Sequence, residues 1–181
     1  RLEKFSGFGK LEQAFCRIGN CFGTEFYVSD KIDSMMLTMA REKGYHFETK
    51  GIIEHVKDVY EGAFVLEPVA GLHKDVCVFD FAALYPSMIR TFNISPETFV
   101  PKNRRQYYDD NDLIITPNGC TFLKNKKGFV PQMFAFTTDK RNEYKKLRDA
   151  QEPGTEIYNI HHRISEAYKT YGLSFYGEMG N

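Results

Sequence analysis

Apolar residues change their period several times along this chain, and each change marks an expected boundary. Between Ser29 and Tyr45 they fall at Ile32, Met35, Met36 and Met39, the spacing of a helix with one buried face. Ser29 or Asp30 is the expected N-cap and Gly44 the expected stop. Residues 1–50 as a whole read as helices joined by turns. After Ile52 the pattern shortens. The stretches "IIEHVKDVYEGAFVLEP" and "KDVCVFDF" are β-rich and punctuated by Gly62, Pro68 and Gly71, which predicts a strand over Val76–Phe79. A polar loop, "PKNRRQYYDDND", precedes a hairpin around "TPNGCTF", where Asn118-Gly119 is the turn signal. From Phe134 the period is helical again. "TTDKRNEYKKLRDA" is one helix, "QEPGTE" breaks it, and "IYNIHHRISEAYKTYGLSFYG" is a second. So short a link predicts antiparallel neighbours. The expected fold class is α+β.

Composition changes this picture little. The chain has 181 residues and a formal net charge of zero, so no global basic character announces a nucleic-acid partner. The charge is segregated, however. Residues 124–148 hold eight basic and two acidic side chains, a local surplus of six that could attract phosphate or simply form a solvated helix face. Cys16, Cys21, Cys77 and Cys120 include no C-x-x-C pair, which reads as a reduced, intracellular protein without structural zinc. Nothing reads as a signal peptide or a transmembrane span, and no membrane partner is expected. The first residue is Arg1 and the last is Asn181, directly after a glycine-rich motif, so both ends are read as cut.

The candidate chemistry begins with Asp80. Strand alternation sets it on one face with Val76 and Val78, where the strand gives way to "AALYPS". A carboxylate there can hold a hard cation such as Mg²⁺ together with phosphate oxygens; a capping role is the plain alternative. Pro86 suits the first turn of a short helix, "PSMIRTF", whose preceding N–H groups at Ala83 and Leu84 could face an anion. Farther on, Arg141 and Lys145 are four residues apart on one helix, and Lys169 and Tyr176 are seven apart on the next. Three cations and a tyrosine from two antiparallel helices could clamp a triphosphate; surface pairing with Glu143 or Glu166 is the alternative.

Together these stretches resemble the family B DNA polymerases. "DFAALYPSMI" at 80–89, followed by "NISPET" at 93–98, resembles their first polymerase motif. "KTYGLSFYG" at 169–177 resembles the second. "YEGAFVLEP" at 60–68 is similar to the linker between exonuclease and polymerase modules, and "GFVP" at 128–131 to the entry of the fingers. Four motifs in order are a specific signal. "NISPET" suits bacteriophage, archaeal and large-virus members alike.

The resemblance implies a division into the end of an exonuclease domain (1–50), the first part of the palm (51–125) and a fingers helix pair (126–181). It implies two Mg²⁺ ions held in part by the Asp80 carboxylate and the Phe81 carbonyl, with Asp80 catalytic. Ala83 and Leu84 would offer N–H groups to the triphosphate. Tyr85 would pack under the deoxyribose and exclude a 2′-hydroxyl. Arg141, Lys145 and Lys169 would bind the incoming dNTP, and Ser174, Tyr176 and Gly177 would border the nascent base pair. Primer-template DNA and dNTPs are the implied partners, in a cytoplasmic setting by default. Two residues depart from the family pattern: Leu173 stands where Asn is usual, and Ala83 where Ser is common. No Asp-Thr-Asp, the family's third motif, occurs in the sequence. A palm remainder and thumb are therefore expected from the same chain or a separate subunit, and the segment by itself is expected to be inactive. The alternative is a decayed module that binds DNA or nucleotide without chemistry.

Overall fold

A computed structural model of the chain describes residues 8–21, 27–46, 64–81 and 83–179. Residues 1–46 and 83–181 make one compact unit and residues 47–82 another. In the larger unit the elements run α1 (Phe8–Gly19), α2 (Val28–Lys43), α3 (Leu84–Thr91), β1 (Phe99–Val100), β2 (Leu113–Ile115), β3 (Thr121–Leu123), α4 (Phe129–Asp149) and α5 (Glu156–Met179). The class is α+β, as expected.

The helix expected after Ser29 or Asp30 forms two to three residues early. Tyr27 is its N-cap and makes no side-chain capping bond, so Ser29 and Asp30 lie inside the first turn. There Asp30 still meets the positive end of the helix dipole. Gly44 ends the helix as expected, in the left-handed region at φ 69°, and Tyr45 N–H closes the turn on the Ala40 carbonyl at 2.8 Å. Ile32, Met35, Met39 and Ala40 are buried against Ala14 and Phe15 of α1 and Tyr171 and Phe175 of α5. Lys31 is buried among them with its Nζ on Glu12 of α1, the partner a buried ammonium requires. Tyr171, fully buried, donates its hydroxyl to the Phe15 carbonyl at 2.8 Å and ties α5 to α1.

The paired helices are α4 and α5. Phe134 meets Phe175, Phe136 and Tyr144 meet Tyr168, and Arg148 meets His162. Partners on α5 fall as those on α4 rise, so the two helices run antiparallel. α4 begins at Phe129, well before the amphipathic stretch at Thr137. "FVPQMFAF" is almost continuously apolar because Phe129, Val130, Pro131, Met133 and Phe134 are all buried, and burial on several sides erases the periodic signal.

The sheet is β1-β3-β2, antiparallel throughout, with Phe99 opposite Phe122 and Ile114 opposite Phe122 on the other side. The expected hairpin joins β2 to β3, with Gly119 at φ 83°. The strand expected over Val76–Phe79 does not form. Residues 64–81 carry no strand and all are exposed. The β-prone run is present, but a strand needs a ladder partner, and none of the described residues pairs with it. The remainder of the β-rich reading, 52–63, lies outside the described residues. Among those described, no helix is long and apolar enough to cross a membrane.

The start of α4 is closed by side chains from another element. α3 ends in a Schellman turn: Ile94 N–H reaches the Ile89 carbonyl at 2.9 Å, and Asn93 takes the left-handed conformation at φ 54°. Asn93 then accepts from Gly128 N–H through Oδ1 at 2.9 Å and donates through Nδ2 to the carbonyls of Leu123 and Lys126. Glu97 accepts from Phe129 N–H, and Ser95 Oγ accepts from Val130 N–H at 3.2 Å while donating to Glu97 at 2.7 Å. Thr98, buried, sets its hydroxyl against the carbonyls of Asn93 and Ser95.

Space at this junction admits only glycine. A Cβ on Gly128 would stand 2.6 Å from Ser95 Cβ, 3.1 Å from Pro131 Cδ and 3.2 Å from Asn93 Oδ1. None of these is the end of a flexible chain. Gly128→Ala is expected to destabilise the fold by about 1–3 kcal/mol, the usual cost of overpacking, read from the midpoint of denaturant unfolding at unchanged slope.

Candidate functional site

α3 opens at a strained position. Ala83, its N-cap, has φ 53° and ψ 49°, a conformation that costs a non-glycine residue about 1 kcal/mol or more. Pro86 sits in the first turn, as expected, and the opening N–H groups of the helix have no partner within it. Leu84 and Tyr85 are both partly exposed.

Tyr85 is met by Tyr176 from the end of α5. Their rings stack at a centroid distance of 4.0 Å and an interplanar angle of 18°. Both keep a substantial exposed surface, 51% and 41%. The contact joins two sequence motifs that lie far apart in the chain. Tyr176 reaches it because α5 continues unbroken through "GLSFYG", anchored from beneath by Tyr171 and Phe175 in the core. Ser174 is half-buried, Gly177 is exposed, and Leu173 points largely to solvent at 63%. Gly177 has open space where a Cβ would be.

The three candidate cations lie on the paired helices. Because Tyr144 and Tyr168 face one another, Arg141 and Lys169 occupy neighbouring levels of the pair, and Lys145 lies one turn nearer the link. Lys169 is exposed and pairs loosely with Glu166, 3.6 Å away, so surface pairing does occur there. Such a pair contributes little and is easily exchanged for a stronger anion. Arg141 and Lys145 have no acidic partner among the described residues, and Arg141 Nε is shut from solvent without a hydrogen bond. Their neighbour Lys140 differs. The hydrogen bond and charge of Glu143 raise its pKa above the usual lysine value and occupy its ammonium. Arg148, near the link, is engaged with Asp149 and lies over Tyr158. Tyr168, behind these cations, is pushed above the ordinary tyrosine value by burial first and by Tyr144 second, so it stays neutral.

Asp80 and Phe81 belong to the smaller unit, where both are exposed. Among the described residues no three His, Cys, Asp or Glu side chains are grouped closely enough to hold a metal ion. One exposed carboxylate and one carbonyl do not make a metal site by themselves. Sequence reasoning did not assign roles to Asn93, Ser95 and Glu97, although "NISPET" was noted as a motif. No local signal marked them, because the N–H groups they accept from belong to a helix more than thirty residues farther along the chain.

A family model described as DNA polymerase family B matches residues 26–181. The chain is 37% identical over 127 residues to a DNA polymerase of Archaeoglobus fulgidus, covering 70% of this chain and 15% of that protein. It is 33% identical over 124 residues to the DNA-directed DNA polymerase of Enterobacteria phage T4, covering 63% and 14%. Among solved structures, the family B DNA polymerase from Pyrobaculum calidifontis superposes with a TM-score of 0.76 at 23% identity, over 99% of this chain and 24% of that one. The chain thus spans about 15% of the length of the curated relatives it matches.

The tyrosine stack has a measurable strength. Stacked aromatic pairs contribute about 0.5–1.5 kcal/mol beyond the area they bury. A double-mutant cycle on Tyr85→Ala and Tyr176→Ala is expected to return a coupling of that size in thermal unfolding. Additive effects would mean the rings do not support one another.

Proposed function

Since the chain belongs to the family B DNA polymerases, we propose that it forms the part of a template-directed DNA polymerase that receives the incoming dNTP. The observation that carries this reading is the stack of Tyr85 on Tyr176. It unites the residue inferred to measure the sugar with the residue inferred to border the templating base. A ring held flat by its neighbour offers a fixed wall to a deoxyribose and has no room to yield to a 2′-hydroxyl.

In this reading Arg141, Lys145 and Lys169 bind the triphosphate. Arg141 brings a planar fork and the lysines bring point charges. The Glu166 contact of Lys169 is weak enough for phosphate to displace. Ala83 and Leu84 present backbone N–H groups at the start of α3, so Ala83 in place of serine changes little there. Ser174 and Gly177 line the pocket beside Tyr176, with Gly177 leaving room for the base pair. Asp80 and the Phe81 carbonyl form one side of the site for divalent metal, the chemistry by which such an enzyme activates a primer 3′-hydroxyl. The remaining ligands, with the thumb, come from further residues of the same chain or from a second subunit. The division into exonuclease end, early palm and fingers at residues 50 and 125, and a cytoplasmic setting, belong to the same proposal.

A second reading rests on Leu173. An exposed leucine where the family usually carries asparagine removes a polar group beside the nucleotide pocket. A decayed module would still bind nucleotide and would never catalyse.

Equilibrium binding of Mg²⁺–dATP tests the first step. Hydrogen bonds to charged groups are each worth about 1.5–3 kcal/mol, so Arg141→Ala or Lys169→Ala is expected to weaken binding by about tenfold or more. Primer extension tests the second. The segment alone is expected not to extend a primer. Joined to a palm segment with Asp-Thr-Asp and a thumb, it is expected to extend one, dependent on divalent metal and abolished by Asp80→Ala. Nucleotide binding without extension in the joined enzyme would favour the decayed module.

A further inference from the structure

We propose that Asn93, Ser95 and Glu97 are positioning residues for the triphosphate, acting at a distance by fixing the base of the helix that carries Arg141 and Lys145. The inference rests on the nucleotide-binding reading given above.

The opening N–H groups of a helix have no partner within it. Most helices satisfy one of them with a local N-cap side chain. Gly128, the N-cap of α4, has no side chain. Instead Gly128, Phe129 and Val130 each donate to a different side chain of the segment 93–97, and the next residue, Pro131, has no N–H to satisfy. A local cap travels with its helix. This cap does not, because it is attached to the C-terminal end of α3 through the left-handed turn at Asn93. The element that begins with Ala83, Leu84 and Tyr85 therefore holds the foot of the element that carries the cations.

Lever length gives the arrangement its consequence. At 1.5 Å per residue, Arg141 lies about 18 Å and Lys145 about 24 Å along α4 from Phe129. A tilt of about 5° at the foot would move Lys145 by about 2 Å, and a displacement of about 1 Å in a positioned group can cost as much as a hundredfold in function. Apolar packing of α4 against α5 resists separation but is non-directional. The three directed hydrogen bonds fix rotation and tilt, and the Glu97 carboxylate also meets the positive end of the helix dipole. Glu97 is only half-buried, so exchanging it does not open a cavity in the core.

A double-mutant cycle on Mg²⁺–dATP affinity distinguishes positioning from plain stabilisation, with binding normalised to the folded fraction. Glu97→Ala is expected to weaken binding by about tenfold. Glu97→Gln, which keeps an acceptor for Phe129 N–H, should stay within about twofold of the parent. In a background lacking both cations, Arg141→Ala with Lys145→Ala, Glu97→Ala should add less than about twofold, because a residue acting through those groups has nothing left to position. Ser95→Ala, which removes the acceptor of Val130 N–H and the hydroxyl that holds Glu97, provides a second variant with the same expected coupling should Glu97→Ala fold poorly. A lowered melting temperature with unchanged affinity per folded molecule, or fully additive losses, would overturn the proposal. If Lys145→Ala and Arg141→Ala themselves leave affinity unchanged, the nucleotide-binding reading falls and this proposal with it.

Discussion

The junction of residues 93–98 with the start of α4 is the constraint on which the larger unit depends. A 21-residue helix presents several unpaired N–H groups at its foot, and this foot is buried. Leaving buried donors without acceptors costs about 1–3 kcal/mol each. The chain meets that demand with Asn93, Ser95 and Glu97 and aligns the acceptors with two further constraints, a left-handed residue at 93 and a glycine at 128. Asn93 is suited to both of its tasks. Its side chain tolerates the left-handed conformation better than most, and its amide can donate and accept at once. An aspartate there could accept from Gly128 but could not donate to Leu123 and Lys126.

From that junction the rest of the unit follows in steps. With its foot fixed, α4 lays Met133, Phe134 and Thr137 against α5, and α5 in turn is anchored to α1 by the Tyr171 hydroxyl. This anchoring sets the direction of the last turns of α5, which deliver Tyr176 onto Tyr85. The inferred nucleotide site is thus built from both ends of a closed circuit: α3 supplies Tyr85 and, through Asn93, supports the helices that return Tyr176 to it. Arg141 and Lys145 ride half-buried on α4 and Lys169 is exposed on α5, so the helices held by this circuit are the ones that carry the candidate cations.

Charge along the paired helices is sorted by neighbours rather than by number. Lys140 and Arg148 have near acidic partners that raise their pKa values and hold their charge in place. Among the described residues Arg141 and Lys145 have none, and Lys169 has only a loose one. The surplus of basic residues over 124–148 therefore resolves into cations already engaged and cations available to an anion.

What the sequence determined by itself was the local structure that short-range chemistry dictates. The helix stop at Gly44, the Asn118-Gly119 hairpin, the α4–α5 pair and its short link were legible because φ preference, turn chemistry and periodicity act within a few residues. The motif residues from Asp80 to Gly177 were legible through resemblance, which identified the family but not their spatial relations. Only the tertiary structure decided the rest, because it depends on partners distant in sequence. The stack of Tyr85 on Tyr176, the Tyr171 hydroxyl on Phe15, and the capping of α4 by "NISPET" have no local signature. The early start of α4 was hidden because burial on several sides removes the alternation that marks an amphipathic helix. Val76–Phe79 shows the converse: the β-prone run was real, but β-structure is a property of a pair, and one segment cannot supply the other.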